Sequence, residues 1–227
     1  MSKEELKRLA AHRAVEYLQS GMVVGLGSGS TARYATLRIG ELLRAGRLRD
    51  IVGIPTSDDT ARLARREGIP LTTLDERPRI DITIDGADEV DPQRNVIKGL
   101  GGFLLREKIV AYWTACEIII VDDSKLVQRL GTKAPVPVEV VRFGWQRTRA
   151  ALEDTGATTM LRRVNGEPYV TDEGNYIIDC TYAAIPQPEE LTRTLNAIPG
   201  VIENGLFIGL VQRVIVASPE GVGIMEG

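Results

Sequence analysis

Imidazole is the scarcest reactive group in this chain: among 227 residues the only histidine is His12. It falls inside the first helical pattern and reads as a surface or helix-packing residue. Histidine catalysis is therefore disfavoured, and a general base has to come from a carboxylate, lysine, tyrosine or cysteine. Two cysteines, Cys116 and Cys180, are too few for a disulfide framework. Each lies among apolar residues and reads as a buried thiol, in keeping with a reducing cytoplasm. Without further histidines, and with no convincing carboxylate cage, metal-dependent chemistry is disfavoured as well. No apolar run approaches membrane-spanning length. The charged start, Met1-Ser2-Lys3-Glu4-Glu5, is unlike a secretory leader, so a cytoplasmic protein is expected. A surplus of one charge is also missing. The 28 basic and 31 acidic residues leave a net charge of −3, with no long block of either sign. That argues against a nucleic-acid surface and for a small-molecule partner. Internal repeats and low-complexity segments are absent.

What is present centres on Ile97-Lys98-Gly99-Leu100-Gly101-Gly102-Phe103, a glycine-rich loop leading into a helical pattern in which Leu105, Ile109 and Trp113 recur every fourth residue. Glu107 then lies about one turn inside the helix. Its side chain leans back toward the loop, because helical side chains tilt toward the N-terminus. Gly99, Gly101 and Gly102 let a ligand approach the backbone closely. The plainer alternative, a glycine turn followed by a first-turn acid that suits the helix dipole, stays open on this stretch alone.

Earlier in the chain, Leu6, Leu9, Ala10, Val15 and Leu18 mark a first helix, and Met22 to Leu26 a short buried strand. Gly27-Ser28-Gly29-Ser30-Thr31 follows, with helical character from Ala32 to Leu43. A strand, a Gly/Ser loop and a helix N-terminus make an anion site, since unpaired amides and the positive helix end face one spot. The glycine spacing is wrong for a dinucleotide fingerprint, and no lysine precedes the hydroxyl residues as in a nucleoside-triphosphate loop. A single phosphate suits the loop, although Ser28 to Thr31 acting only as helix caps is a second reading. Ile51 to Ile54 is the next strand, and Ser57 opens a helix whose Asp58 and Asp59 need no role beyond the dipole. Ile80 to Ile84 is a strand that delivers Asp85-Gly86-Ala87-Asp88-Glu89-Val90-Asp91. Ligands collect at strand ends in open α/β sheets, so Asp85 and Asp88 are candidates, while Glu89 and Asp91 read as solvated turn formers. Glu117 to Val121 is another strand, with Lys125 just past its end.

This alternation predicts an α/β fold: a doubly wound, mostly parallel, Rossmann-like sheet. From Pro135 the order changes to βαββαβ, a second, smaller ferredoxin-like α+β domain. Its segments are Val136 to Val141, Gln146 to Thr155, Thr158 to Leu161, Tyr176 to Cys180, Glu189 to Ala197 and Val201 to Leu206. Val211 to Ala217 returns as a strand of the first sheet. The expected domains are 1–130 with 207–227, and 131–206.

With these pieces placed, the chain resembles the ribose-5-phosphate isomerase A family. The motifs that carry the resemblance are Gly-Ser-Gly-Ser-Thr-Ala at 27–32, Asp-Gly-Ala-Asp-Glu at 85–89, Lys98 with its glycine loop, Arg106-Glu107-Lys108, Ser124-Lys125, Pro137-Val138-Glu139-Val140, Thr171-Asp172-Glu173-Gly174-Asn175, and Ile198-Pro199-Gly200-Val201 with Asn204-Gly205-Leu206-Phe207. The resemblance implies interconversion of D-ribose 5-phosphate and D-ribulose 5-phosphate in the pentose phosphate pathway, with no metal or other cofactor, in a homodimer or homotetramer. It matches Glu107 to the catalytic base. Substrate contacts fall on Ser28, Gly29, Ser30 and Thr31, on Asp85, Gly86, Ala87 and Asp88, on Lys98, Gly99, Leu100 and Gly101, and on Lys125. Ser28 stands where the family often has threonine, and Leu100 interrupts a run that is often glycine or arginine. The chemistry of the residues agrees: Glu107 can shuttle a proton, Lys98 can stabilise an oxyanion, and Asp85 and Asp88 can bind hydroxyls or relay protons. Two rival readings are a non-catalytic sugar-phosphate sensor and a sugar-phosphate deaminase, the latter wanting a catalytic histidine.

Overall fold

A computed structural model of the protein describes residues 1–226. Within Met1–Ala87 the chain forms α1 (Lys3–Val15), β1 (Val23–Leu26), α2 (Gly29–Arg44), β2 (Val52–Pro55), α3 (Asp58–Arg66) and β3 (Ile80–Gly86). Then come β4 (Glu89–Val90), β5 (Val96–Ile97), α4 (Leu104–Tyr112), β6 (Thr114–Asp122) and a 3-10 turn, Asp123–Lys125. The next stretch holds β7 (Val136–Val140), α5 (Trp145–Glu153), β8 (Thr158–Leu161), β9 (Arg163–Val164), β10 (Glu167–Pro168), β11 (Tyr176–Thr181), α6 (Pro188–Asn196), β12 (Val201–Asn204) and β13 (Leu206–Phe207). The chain closes with β14 (Arg213–Ser218) and β15 (Gly221–Glu226).

Two compact units result. The first comprises Met1–Ala87, Arg106–Lys125 and Gly209–Gly227. Its six-stranded sheet runs β15-β14-β6-β3-β1-β2 and is parallel throughout except for β15, which pairs antiparallel with β14. Strands buried on both faces are apolar without alternation, as Ile118, Ile119 and Ile120 of β6 illustrate, all fully buried. Leu6, Ala10, Ala14 and Val15 of α1 and Ala35 and Ile39 of α2 share a core with Ile82, Ile84, Ile118, Ile120 and Ile215. The chain leaves β1 toward β2 on one side and returns to β3 on the other, so the order in which parallel strands are added reverses between β1 and β3. Ligand sites in open α/β sheets lie beyond the carboxyl ends of strands at such a reversal.

The second unit comprises Asp88–Leu105 and Leu126–Ile208. Its four-stranded sheet, β12-β7-β11-β8, is antiparallel, and its βαββαβ order is the ferredoxin-like arrangement. Val136, Val138, Leu152, Ile178 and Leu195 lie in one core. Asn165 (φ 51°) and Gly166 (φ 85°) turn the small β9–β10 hairpin, since both central positions of such a turn need positive φ. A three-stranded sheet, β13-β5-β4, is built from two-residue strands. That pairing explains why Asp88–Leu105 groups with the second unit, whereas the sequence reading kept it within 1–130.

Cys180 is fully buried in the second core, and burial pushes its thiol up to about 12. Cys116, read as buried, is only partly so; burial still raises its pKa. No helix among the described residues is long and apolar enough to cross a membrane.

Candidate active site

In the first unit, the end of β1 and the end of β3 meet at one carboxylate. Asp85, 1% exposed, accepts hydrogen bonds at Oδ1 from the amides of Ser28 (3.1 Å) and Gly86 (2.7 Å). Gly27 makes the approach sterically feasible, since a Cβ there would collide with the Asp85 carboxylate and sit 2.5 Å from the Ile84 carbonyl oxygen. A Cβ on Gly86 would lie 3.9 Å from Cβ of Thr31, which puts the Asp85–Ala87 turn beside the start of α2.

That helix begins at Gly29, three residues before the sequence pattern indicates, so Ser30 and Thr31 belong to its first turn. Ser28 is the N-cap residue, yet its side chain makes no capping bond. Its hydroxyl turns inward to Thr56 Oγ1 (2.7 Å), Ser57 Oγ (2.7 Å) and Thr60 Oγ1 (3.0 Å). Two expectations change as a result. Capping by the Ser28 side chain is not its function, and its hydroxyl is committed to a buried cluster. The anion-binding capacity of the loop then rests on amides at the N-terminus of α2 and on the hydroxyls of Ser30, which is exposed, and Thr31, which is half-buried.

Glu107 is the fourth residue of α4 and only 6% exposed. Its neighbour Arg106 donates to Asp58 Oδ1 at 2.7 Å and ties the first turn of α4 to the first turn of α3. The guanidinium holds the Asp58 carboxyl below the usual range for aspartate. Asp58 thus has a partner beyond the helix dipole. Lys125 ends the 3-10 turn after β6, half-buried, and Asp122 Oδ1 accepts from the Ser124 amide at 3.0 Å to shape that turn.

In the second unit, Asp88 Oδ2 accepts from the Leu100 amide at 3.0 Å, and the Asp88 amide donates to the Ile97 carbonyl at 2.8 Å. The Leu100 N–H therefore serves the loop itself, and the exposed Leu100 side chain points away from the buried interior. Lys98 is 3% exposed; its amide donates to the Gly205 carbonyl at 2.9 Å, and its Nζ lies 5.5 Å from the ring centre of Phe207. Arg162 donates through Nη1 to the carbonyls of Gly99 (2.7 Å) and Leu100 (3.1 Å). Sequence reasoning missed Arg162 because no local pattern links it to a loop some sixty residues earlier.

Glu89 and Asp91 correct the sequence reading. Both are buried, not solvated. Glu89 accepts from the amides of Gly131 (2.6 Å), Ala134 (2.6 Å) and Lys133. Asp91 is a turn former as expected, accepting at Oδ1 from the amides of Gln93 (2.9 Å) and Asn95 (2.8 Å). Among the described residues, no three His, Cys, Asp or Glu side chains are grouped to hold a metal ion.

Comparison with known proteins gives these residues a context. Residues 52–221 match the family model described as ribose 5-phosphate isomerase A (phosphoriboisomerase A). A ribose-5-phosphate isomerase A from Chloroflexus aurantiacus is 54% identical over 222 residues, covering 97% of this chain and 93% of the relative. One from Gloeobacter violaceus is 53% identical over 226 residues, covering 99% and 97%. A solved D-ribose-5-phosphate isomerase in complex with phospho-erythronic acid superposes with a TM-score of 0.98 at 44% identity, covering 100% of both chains. The enzyme from Plasmodium falciparum gives 0.96 at 41% identity, covering 99% of both.

Proposed function

The chain belongs to the ribose-5-phosphate isomerase A family, and we propose that within its reaction Glu107 is the base that moves a proton between carbons 2 and 1 of the sugar. The protein is an aldose–ketose isomerase that interconverts D-ribose 5-phosphate and D-ribulose 5-phosphate. The sensor and deaminase readings are not favoured beside relatives of that name matching nearly the whole chain.

One observation carries the assignment of the base: a carboxylate buried in the first turn of the helix that directly follows the Lys98 loop. Glu107 takes the proton from carbon 2 of the open-chain aldose, the electron pair passes toward the carbonyl oxygen on carbon 1, and an enediolate results. The same carboxyl returns the proton to carbon 1, while the hydroxyl proton on oxygen 2 passes to oxygen 1. Lys98 stabilises negative charge on the enediol oxygens. Asp85 and Asp88, besides anchoring the amides described above, contact sugar hydroxyls or relay the proton between the oxygens. The amides of Gly29, Ser30 and Thr31 and the hydroxyls of Ser30 and Thr31 receive the phosphate, with Ser28 shaping the loop from its buried cluster and Gly86, Ala87, Gly99, Leu100, Gly101 and Lys125 completing the substrate contacts. The direct test is turnover of ribose 5-phosphate with a chelator present. Conversion at the untreated rate supports the reading, and a requirement for added metal contradicts it.

The phosphate assignment predicts a second outcome. Gly29 has φ 93°, a conformation open to glycine and strained for valine, although nothing lies within 4 Å of where its Cβ would stand. Gly29→Val then pays about 1–3 kcal/mol of backbone strain or rearranges the loop, so KM for ribose 5-phosphate rises roughly tenfold or more. An unchanged KM removes the phosphate from this loop. The protein is further proposed to be cytoplasmic and to assemble as a homodimer or homotetramer, which sedimentation velocity distinguishes from a monomer.

A further inference from the structure

We propose that Arg162, held by Asp179, is a positioning residue that fixes the backbone beside Lys98 for the isomerisation. Arg162 lies between β8 and β9, and Asp179 is in the middle of β11. Arg162 Nε donates to Asp179 Oδ2 at 3.0 Å and Nη2 donates to Oδ1, a two-pronged pair whose side chains are each 12% exposed. With that edge of the guanidinium occupied, Nη1 is directed at the carbonyls of Gly99 and Leu100, 2.7 and 3.1 Å away. The planar fork serves both tasks at once, which a lysine ammonium cannot do in the same geometry.

The loop is gripped from two directions. Asp88 takes the Leu100 N–H at 3.0 Å, and Arg162 takes the Leu100 carbonyl and the one before it. The Gly99–Leu100 and Leu100–Gly101 peptide planes, one residue beyond Lys98, thereby have their orientation set, and Gly99 is held at φ 105°. The neighbouring hairpin adds to this hold: the Tyr169 amide donates to the Arg162 carbonyl at 2.9 Å, and the Tyr169 ring packs so close to Gly102 that a Cβ there has no room. Asp179 in the four-stranded sheet is thus linked through one guanidinium to the residues that orient Lys98. Nothing in this chain of contacts needs Arg162 to touch the sugar.

The inference rests on Lys98 acting in the reaction as proposed above, and the experiment separates the two. Kinetics are measured for Lys98→Ala, for the double variant Arg162→Met/Asp179→Leu, and for all three substitutions together. Removing both partners avoids leaving a buried charge alone. Misplacing a group by about 1 Å can cost on the order of a hundredfold, so the double variant is expected to lose roughly tenfold or more in kcat, with KM changing less. In the Lys98→Ala background the same two changes should cost less than about twofold, because residues acting through one group are not additive. If the double variant does not fold, Arg162→Lys carries the same comparison: a smaller kcat loss that again disappears in the Lys98→Ala background. A kcat near the parental value, or an equal fold-loss with and without Lys98, overturns the positioning role and leaves the role of Lys98 standing. Parental turnover in Lys98→Ala instead overturns the assignment of Lys98, and this inference with it.

Discussion

Glu107→Gln is expected to lower kcat for ribose 5-phosphate on the order of a hundredfold or more while KM stays within a few-fold of the parent. Glutamine keeps the size of the side chain and two hydrogen-bonding atoms but cannot accept a proton from carbon. Glu107 is only 6% exposed, so solvent has little access to replace the lost base. The loss should therefore fall on turnover, as it does when an interaction made only in the transition state is removed. Lys98→Ala should behave differently. Under the proposed role of Lys98 it weakens charge stabilisation on the enediolate, and because an ammonium also attracts an anionic substrate, KM is expected to rise along with the fall in kcat. Steady-state kinetics on the two variants distinguish a proton carrier from an electrostatic stabiliser.

Glu89→Ala should produce the largest loss of stability among the acids of the Asp85–Asp91 segment. Its carboxylate is fully buried and accepts from three backbone amides, those of Gly131, Lys133 and Ala134. Alanine leaves those donors inside the protein without an acceptor. A buried unsatisfied group costs about 1–3 kcal/mol, and partial relaxation brings the total for three to roughly 3–5 kcal/mol. For a chain of this length that lowers Tm by roughly 6–20 °C. Asp91→Ala, which removes contacts within a local turn, should cost less. Thermal unfolding of the two variants side by side reads the difference, and equal midpoints contradict it.

The contrast between these two acids shows what was legible in the sequence. Asp91 bonds to residues two and four positions away, so its role as a turn former follows from local spacing. Glu89 bonds across more than forty positions, and nothing in its neighbours signals burial. The same distinction runs through the fold. Strands β1, β3, β6 and β14 are legible as apolar runs, and the βαββαβ order follows from alternating periods and the Asn165–Gly166 turn. Strands β4, β5 and β13 are two residues each, too short to show any period. Strand β15 went unread because its exposed, glycine-interrupted Gly221–Glu226 carries no alternation. At the site, the Gly/Ser loop and the acids after β3 were visible as residue types in sequence order. The inward turn of the Ser28 hydroxyl toward Thr56, Ser57 and Thr60 was not, since those partners lie about thirty residues later, in the turn after β2 and the first turn of α3. Arg162 was hidden for the same reason.

Exchange of the carbon-2 hydrogen with solvent tests the central claim most directly. Ribose 5-phosphate is incubated in deuterated water with the parent protein and with Glu107→Gln, and deuterium entering at carbon 2 is followed by NMR alongside isomerisation. A single carboxylate responsible for abstraction and return predicts that exchange and isomerisation fall together, by the same factor, in the variant. Exchange at the parental rate in Glu107→Gln contradicts the assignment of Glu107 and makes Asp85 or Asp88 the next base to examine.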